Sequence, residues 1–158
     1  MVNVEIAKLL ERSFLKARKY LLTKGYEESQ VIKKNPAGDV SRAFDIKVEE
    51  ILVNDLSKNF PGYGVISEEI GDFNAAQKKN FFVIDPVDGS YNFIRKIGGA
   101  SCSIALFENF DKDLRNVFFA FVGNYITGNI IFAEREAQEH TRITQEFTAI
   151  VCKAYRKL

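Results

Sequence analysis

Tryptophan is absent from the chain, histidine occurs once, at His140, and cysteine twice, at Cys102 and Cys152. Two cysteines far apart, outside any Cys-x-x-Cys spacing, make neither a disulfide framework nor a zinc site. Each reads as a small buried hydrophobe. A single histidine leaves a His-based metal centre or a Ser-His-Asp triad resting on one residue, and His140 reads as a surface imidazole. No apolar run reaches the roughly 20 residues that span a bilayer, and no signal peptide opens the chain. The expected compartment is therefore the reducing cytoplasm, with no membrane partner. An excess of either charge is also missing: the net charge is +1 and the pI about 7.7. That balance gives no electrostatic footprint for nucleic acid. The basic pairs Lys33-Lys34, Lys78-Lys79 and Arg156-Lys157 are short and scattered, and read as solvated faces.

What is present is a composition of 46% hydrophobic and 27% charged residues over 158 positions, that of one soluble globular domain. Fourteen Phe point to a core of Phe and aliphatic side chains. A chain of this size buries about two thirds of its unfolded surface, enough for a real core.

Ile6, Leu10, Phe14, Ala17 and Leu21 recur at helical spacing, with Asn3 as a cap and Gly25 as a stop. A polar turn follows at Asn35-Pro36-Ala37-Gly38-Asp39. Ser41 reads as the cap of a second helix whose stripe is Phe44, Val48, Ile51, Leu52 and Leu56. Gly64-Val65-Ile66-Ser67 and Phe81-Phe82-Val83-Ile84 read as short buried strands. Three more are expected at Cys102 to Phe107, Val117 to Val122 and Ile130 to Ala133. The link around Asp111-Lys112-Asp113 lacks the glycine and further acid of a calcium loop and reads as a hairpin loop. Ile143, Phe147, Ile150, Val151, Ala154 and Leu158 share one face of an expected C-terminal helix. Helices first, then strands, then a helix favour an α+β fold, two helices packed on a mostly antiparallel sheet.

Four acids stand where such a scaffold presents chemistry. Glu68, with Glu69 beside it, ends one strand; Asp85 and Asp88 end the next; Asp45 lies in the first turn of the second helix. Strand ends display functional groups from rigid elements, and Pro86 stiffens the turn between the two aspartates. Adjacent carboxylates repel unless a cation lies between them. Oxygen ligands without His or Cys suit Mg²⁺. Gly89 admits a bound anion close to the backbone, and the amides of Gly89 and Ser90 make an anion seat. Metal, anion seat and acid together describe phosphoryl transfer to water. Taken singly, each feature is ordinary: Asp-Pro and Asp-Gly are turn chemistry, Asp45 answers a helix dipole, and Glu68-Glu69 suits a solvated loop. Their joint placement at two hydrophobic strand ends favours the site. An aspartyl-phosphate mechanism of the haloacid dehalogenase type needs its acids two apart, whereas Asp85 and Asp88 are three apart with Pro86 between them.

The segment Val83-Ile84-Asp85-Pro86-Val87-Asp88-Gly89-Ser90-Tyr91-Asn92-Phe93 resembles the central metal motif of the inositol monophosphatase and fructose-1,6-bisphosphatase superfamily. Gly38-Asp39-Val40-Ser41-Arg42-Ala43-Phe44-Asp45 resembles its upstream acidic block, and Val65-Ile66-Ser67-Glu68-Glu69 its Glu-Glu block. Three blocks in order are more specific than one short motif. The resemblance covers about Val4 to Arg135, and its blocks are most similar to the dual-specificity enzymes of archaeal type. It implies that Glu68, Asp85 and the Val87 carbonyl bind one metal ion and that Asp85 and Asp88 hold a second. It implies catalytic roles for Asp45, Glu68 and Ser90, with Ser90 and Asp45 positioning the attacking water. Gly89 and Ser90 would hold the phosphate, and Lys34 falls near a lysine position of the family. The implied cofactor is Mg²⁺, two or more ions per site; the implied partner is a small phosphorylated polyol or sugar, with a homodimer possible.

Family chains continue into a second half bearing a Trp-Asp motif that completes the second metal site, and no such motif is found in these 158 residues. The expected organisation is a metal- and phosphate-binding domain at 1–135, the N-terminal half of the family's layered fold, followed by a divergent helical tail at 136–158. Two accounts stay open for the tail: a truncated or frame-shifted product, or a half-length form whose last helix covers exposed core. The expected function is a phosphomonoesterase of low or no activity in this short form. The alternative is a non-catalytic metal-binding remnant or interaction module of the same fold.

Overall fold

The computed structural model describes residues 4–36, 38–108 and 116–135. Helix α1 (Val4–Lys24) buries Ile6, Leu10, Phe14, Ala17 and Leu21, the stripe its periodicity predicts. Its end lies where Gly25 N–H reaches the Leu21 carbonyl at 2.9 Å. A two-stranded ribbon, β1 (Val31–Lys34) and β2 (Val40–Arg42), leads into α2 (Ala43–Asn59), which buries Phe44, Val48, Leu52 and Leu56. Strands β3 (Tyr63–Ser67), β4 (Gly71–Phe73), β5 (Asn80–Asp88), β6 (Ser101–Glu108), β7 (Val117–Asn124) and β8 (Ile130–Glu134) form one sheet in the order β4-β3-β5-β6-β7-β8. A short helix α3 (Ser90–Arg95) leaves the end of β5. Among the described strands, β3 and β5 pair in parallel and the other strand pairs are antiparallel. The α+β architecture with a mostly antiparallel sheet is thus observed.

Alternation along the central strands splits the core in two. Phe82 and Ile84 of β5, Cys102, Ile104 and Leu106 of β6, and Phe119 and Phe121 of β7 pack with α1 and α2. Phe81, Val83, Ala105, Phe107 and Ala120 point to the opposite face and are buried there as well. Both faces being buried explains why these strands read as unbroken apolar runs. Cys102 is fully buried, as expected of a small hydrophobe, and burial pushes its thiol up to about 12.

Three local expectations differ from what is seen. Ser41 does not cap α2. The β1–β2 ladder runs to Arg42, so the helix starts one residue later, and the Ser41 hydroxyl donates instead to the Glu69 carboxylate. The N-terminal N–H is satisfied by Asp45, whose Oδ2 accepts from Arg42 N at 2.9 Å. The second strand does not stop at Ile84 but continues through the aspartates to Asp88. Strands β1, β2 and β4 were not anticipated; they are three or four residues long and mostly exposed, with no alternation to announce them. Asn3, the Asp111-Lys112-Asp113 link, His140, Cys152 and the tail helix lie outside the described residues.

Candidate active site

The acids gather at the carboxyl ends of the two parallel strands. Ser67 pairs with Ile84 across β3 and β5, and Glu68 N–H donates to the Ile84 carbonyl at 3.2 Å. Glu68 and Asp85 therefore emerge side by side, both buried, at 9% and 2% exposure. Parallel pairing makes this inevitable: two strands that end in acid at the same level present those acids together.

Beyond Asp85 the ladder is interrupted. Asp85 pairs with Ser103 and Asp88 with Ser101, so three steps on β5 face two on β6. This bulge contains Pro86, which has no N–H to give the ladder. It leaves Val87 buried and Asp88 half-buried at the rim. Gly89 then turns the chain into α3 with φ +90°, and a Cβ there would lie 2.2 Å from the Gly99 carbonyl oxygen. Both the left-handed backbone and the contact exclude a side chain.

Asp45 reaches the same place from the start of α2. Ser90 Oγ lies 2.6 Å from Asp45 Oδ1 and 2.9 Å from the Val87 carbonyl oxygen. One hydroxyl proton thus faces two acceptors and can satisfy one at a time. Burial pushes the Asp45 carboxyl up to about 6; the Ser90 and Arg42 hydrogen bonds oppose this and the Glu68 charge adds to it. Glu69, also buried, is pushed up to about 7 by burial, with the charges of Asp45, Glu68 and Glu49 adding to it despite the Ser41 hydrogen bond. These buried acids feel one another, and their surroundings disfavour so much negative charge.

Among the described residues, no three His, Cys, Asp or Glu side chains gather tightly enough to enclose an ion. The residues at hand are the carboxylates of Glu68, Asp85 and Asp88 and the Val87 carbonyl. That donor set suits a hard ion which keeps much of its own water: Mg²⁺ is usually held by one or two carboxylates. Lys34 is exposed on β1.

Three polar residues were not read from sequence as belonging to the site. Asn35 Nδ2 lies 3.4 Å from Glu68 Oε1, the Ser41 hydroxyl holds Glu69, and Glu49 on α2 is 1% exposed with its Oε1 accepting from Ile70 N at 3.1 Å. Glu49 lies four residues after Asp45 on α2, and that spacing was a usable signal.

A family model, the inositol monophosphatase family, matches residues 4–149. The chain belongs to the inositol monophosphatase family. An inositol-1-monophosphatase of Caulobacter vibrioides is 35% identical over 108 residues, 68% of this chain and 40% of that protein. A fructose-1,6-bisphosphatase/inositol-1-monophosphatase of Methanothermobacter thermautotrophicus is 30% identical over 115 residues, 68% of this chain and 41% of its own length. The solved structure of the extragenic suppressor protein SuhB from Bartonella henselae superposes with a TM-score of 0.69 at 28% identity, covering 89% of this chain and 55% of that one. The chain thus spans about two fifths of the length of each of these two curated relatives. The inositol monophosphatase family comprises phosphoric monoester hydrolases and is generally metal-dependent. No helix among the described residues is long and apolar enough to cross a membrane.

Proposed function

We propose that this member of the inositol monophosphatase family supplies the metal- and phosphate-binding part of a Mg²⁺-dependent phosphomonoesterase acting on a small polyol or sugar phosphate. The observation that carries the reading is the Asp45–Ser90–Val87 array beside the paired Glu68 and Asp85. Glu68, Asp85 and the Val87 carbonyl would hold one Mg²⁺, and Asp85 with Asp88 a second. A bound divalent ion supplies charge to phosphoryl oxygens and lowers the pKa of water. The chain's own part is positional. The Ser90 hydroxyl, donating to Asp45, leaves its lone pairs to orient a water molecule, and Asp45, poised near neutrality, can take that water's proton. The Gly89 and Ser90 amides offer donors to a phosphate. The names of the relatives, inositol-1-monophosphatase and fructose-1,6-bisphosphatase, support a polyol or sugar phosphate as substrate.

The test is phosphate release from inositol 1-phosphate and from fructose 1,6-bisphosphate by the 158-residue chain, with Mg²⁺ and with EDTA. Mg²⁺-dependent release that Glu68→Gln abolishes is the expected result. Release that persists in EDTA would overturn it. A second reading is a non-catalytic metal-binding module of the same fold. It predicts Mg²⁺ binding, sensitive to Glu68→Gln, with no phosphate released.

A further inference from the structure

The β5 bulge frees two backbone carbonyls from the ladder, and each has a hydroxyl close by. The Val87 carbonyl oxygen lies 2.9 Å from Ser90 Oγ, three residues on. The Pro86 carbonyl accepts from Tyr125, whose hydroxyl approaches to 2.7 Å through the core from just beyond β7. Tyr125 is fully buried. Its ring stacks on Phe14 of α1 at 5.2 Å, and Phe14 in turn needs the bare backbone of Gly123, where a Cβ would lie 2.5 Å from the ring. Its backbone is held as well. Tyr125 N–H donates to the Ala100 carbonyl at 2.8 Å, and Arg18 of α1 donates through Nε to the Tyr125 carbonyl at 2.7 Å and through Nη2 to that of Ile126 at 3.1 Å. Ring and backbone are thus both anchored, so the hydroxyl has little freedom.

We infer that Tyr125 is a positioning residue for the metal loop: its hydroxyl fixes the Pro86–Val87 peptide plane and so the place of the Val87 Cα, from which the Val87 carbonyl and the flanking aspartates are set. The physical reason is that a peptide unit is rigid. Holding its oxygen leaves the Val87 amide and Cα no free rotation, and Pro86 already fixes its own φ. Supporting contacts of this kind set metal affinity because a ligand misplaced by a few tenths of an ångström binds weakly. A core tyrosine needed only for packing could be Phe; the hydroxyl donating to a buried carbonyl in the bulge is what Phe would lose. The inference rests on the metal reading above.

The test is Mn²⁺ binding to the 158-residue chain, with free ion counted by electron paramagnetic resonance, for the parent, Tyr125→Phe and Val53→Ala. Val53 is a buried residue of α2 outside the site, so its truncation lowers Tm without touching the loop. Tyr125→Phe is expected to weaken Mn²⁺ binding about tenfold, with faster hydrogen exchange at the Val87 amide, while Val53→Ala binds like the parent. If Tyr125→Phe does not fold, Arg18→Lys takes its place, since Lys cannot span both carbonyls, and the same order is expected. A parent that binds Mn²⁺ and a Tyr125→Phe that binds it equally well would overturn this inference alone. A parent that binds no Mn²⁺ would overturn the metal reading and this inference with it.

Discussion

Ser90 Oγ and Asp45 Oδ1 lie 2.6 Å apart although 45 positions separate the residues in the chain. Asp45 thereby serves two elements: its Oδ2 holds the N–H of Arg42, the residue before α2, and its Oδ1 faces the start of α3. Asp45→Asn keeps the shape but exchanges an acceptor for a donor and removes the base. Phosphate release should fall by roughly 10²–10⁴-fold. Ser90→Thr should retain most of it and Ser90→Ala should lose more. Equal rates for Ser90→Ala and Ser90→Thr would remove the hydroxyl from the mechanism.

Burial raises the Asp45 carboxyl from 3.8 to about 6 and that of Glu69 from 4.5 to about 7. A raised acid holds its proton in the folded state where the unfolded chain has released it. Stability is therefore present at low pH and lost as pH rises through these windows, by about 2–3 kcal/mol for Asp45. Without metal, Tm should fall between pH 5 and 7.5, and Asp45→Asn should flatten the fall. Mg²⁺ favours the ionised acids, so its Tm increment should be larger at pH 7.5 than at pH 5. Thermal melts in EDTA and in Mg²⁺ at both pH values decide this; a metal-free Tm that climbs with pH contradicts it.

The α1 and α2 stripes and the four buried strands β3, β5, β6 and β7 were readable because burial imposes a pattern on the sequence, and the more exposed β8 because it is a short apolar run. Asp45, Glu68, Asp85 and Asp88 were readable because each lies next to an apolar segment that had to be buried. The bulge was not: nothing in Asp85-Pro86-Val87-Asp88 says that β6 continues to pair past Asp85 as far as Ser101. Nor was the ribbon of β1 and β2, whose exposed residues carry no pattern, although it delivers Asn35 and Ser41 to Glu68 and Glu69. The Tyr125 contact spans 39 positions and depends on where β7 ends, which is a property of the whole sheet.

Gly89 should be among the least replaceable residues outside the acids. Alanine at φ +90° costs about 1–2 kcal/mol for the backbone alone, and its Cβ would lie 2.2 Å from the Gly99 carbonyl oxygen, which must move. Gly89→Ala should therefore lower Tm by several degrees and abolish phosphate release. By contrast Gly62→Ala, where no atom lies within 4 Å of the added carbon, should change neither. Differential scanning calorimetry beside the phosphate assay separates the two; a Gly89→Ala protein that melts and turns over like its parent would show that the turn tolerates a side chain.

Asp85 is the acid common to both proposed ion positions, and it is the most enclosed of the strand-end pair, 2% exposed against 9% for Glu68. An ionised carboxylate held there without a cation is unfavourable. Asn removes the charge at nearly constant volume. The consequences for stability and for binding should accordingly diverge. In EDTA, Asp85→Asn should melt within a few degrees of the parent, because Asn fills nearly the same volume. In Mg²⁺ the parent should gain Tm in proportion to occupancy, as any ligand that prefers the folded state requires, and Asp85→Asn should gain nothing. Asp88→Asn, at the half-buried rim, should keep part of the increment because only one of the two positions loses a ligand. If Asp85→Asn kept the full Mg²⁺ increment, the ion would have to bind elsewhere on the chain, and the pairing of β3 with β5 would no longer explain where.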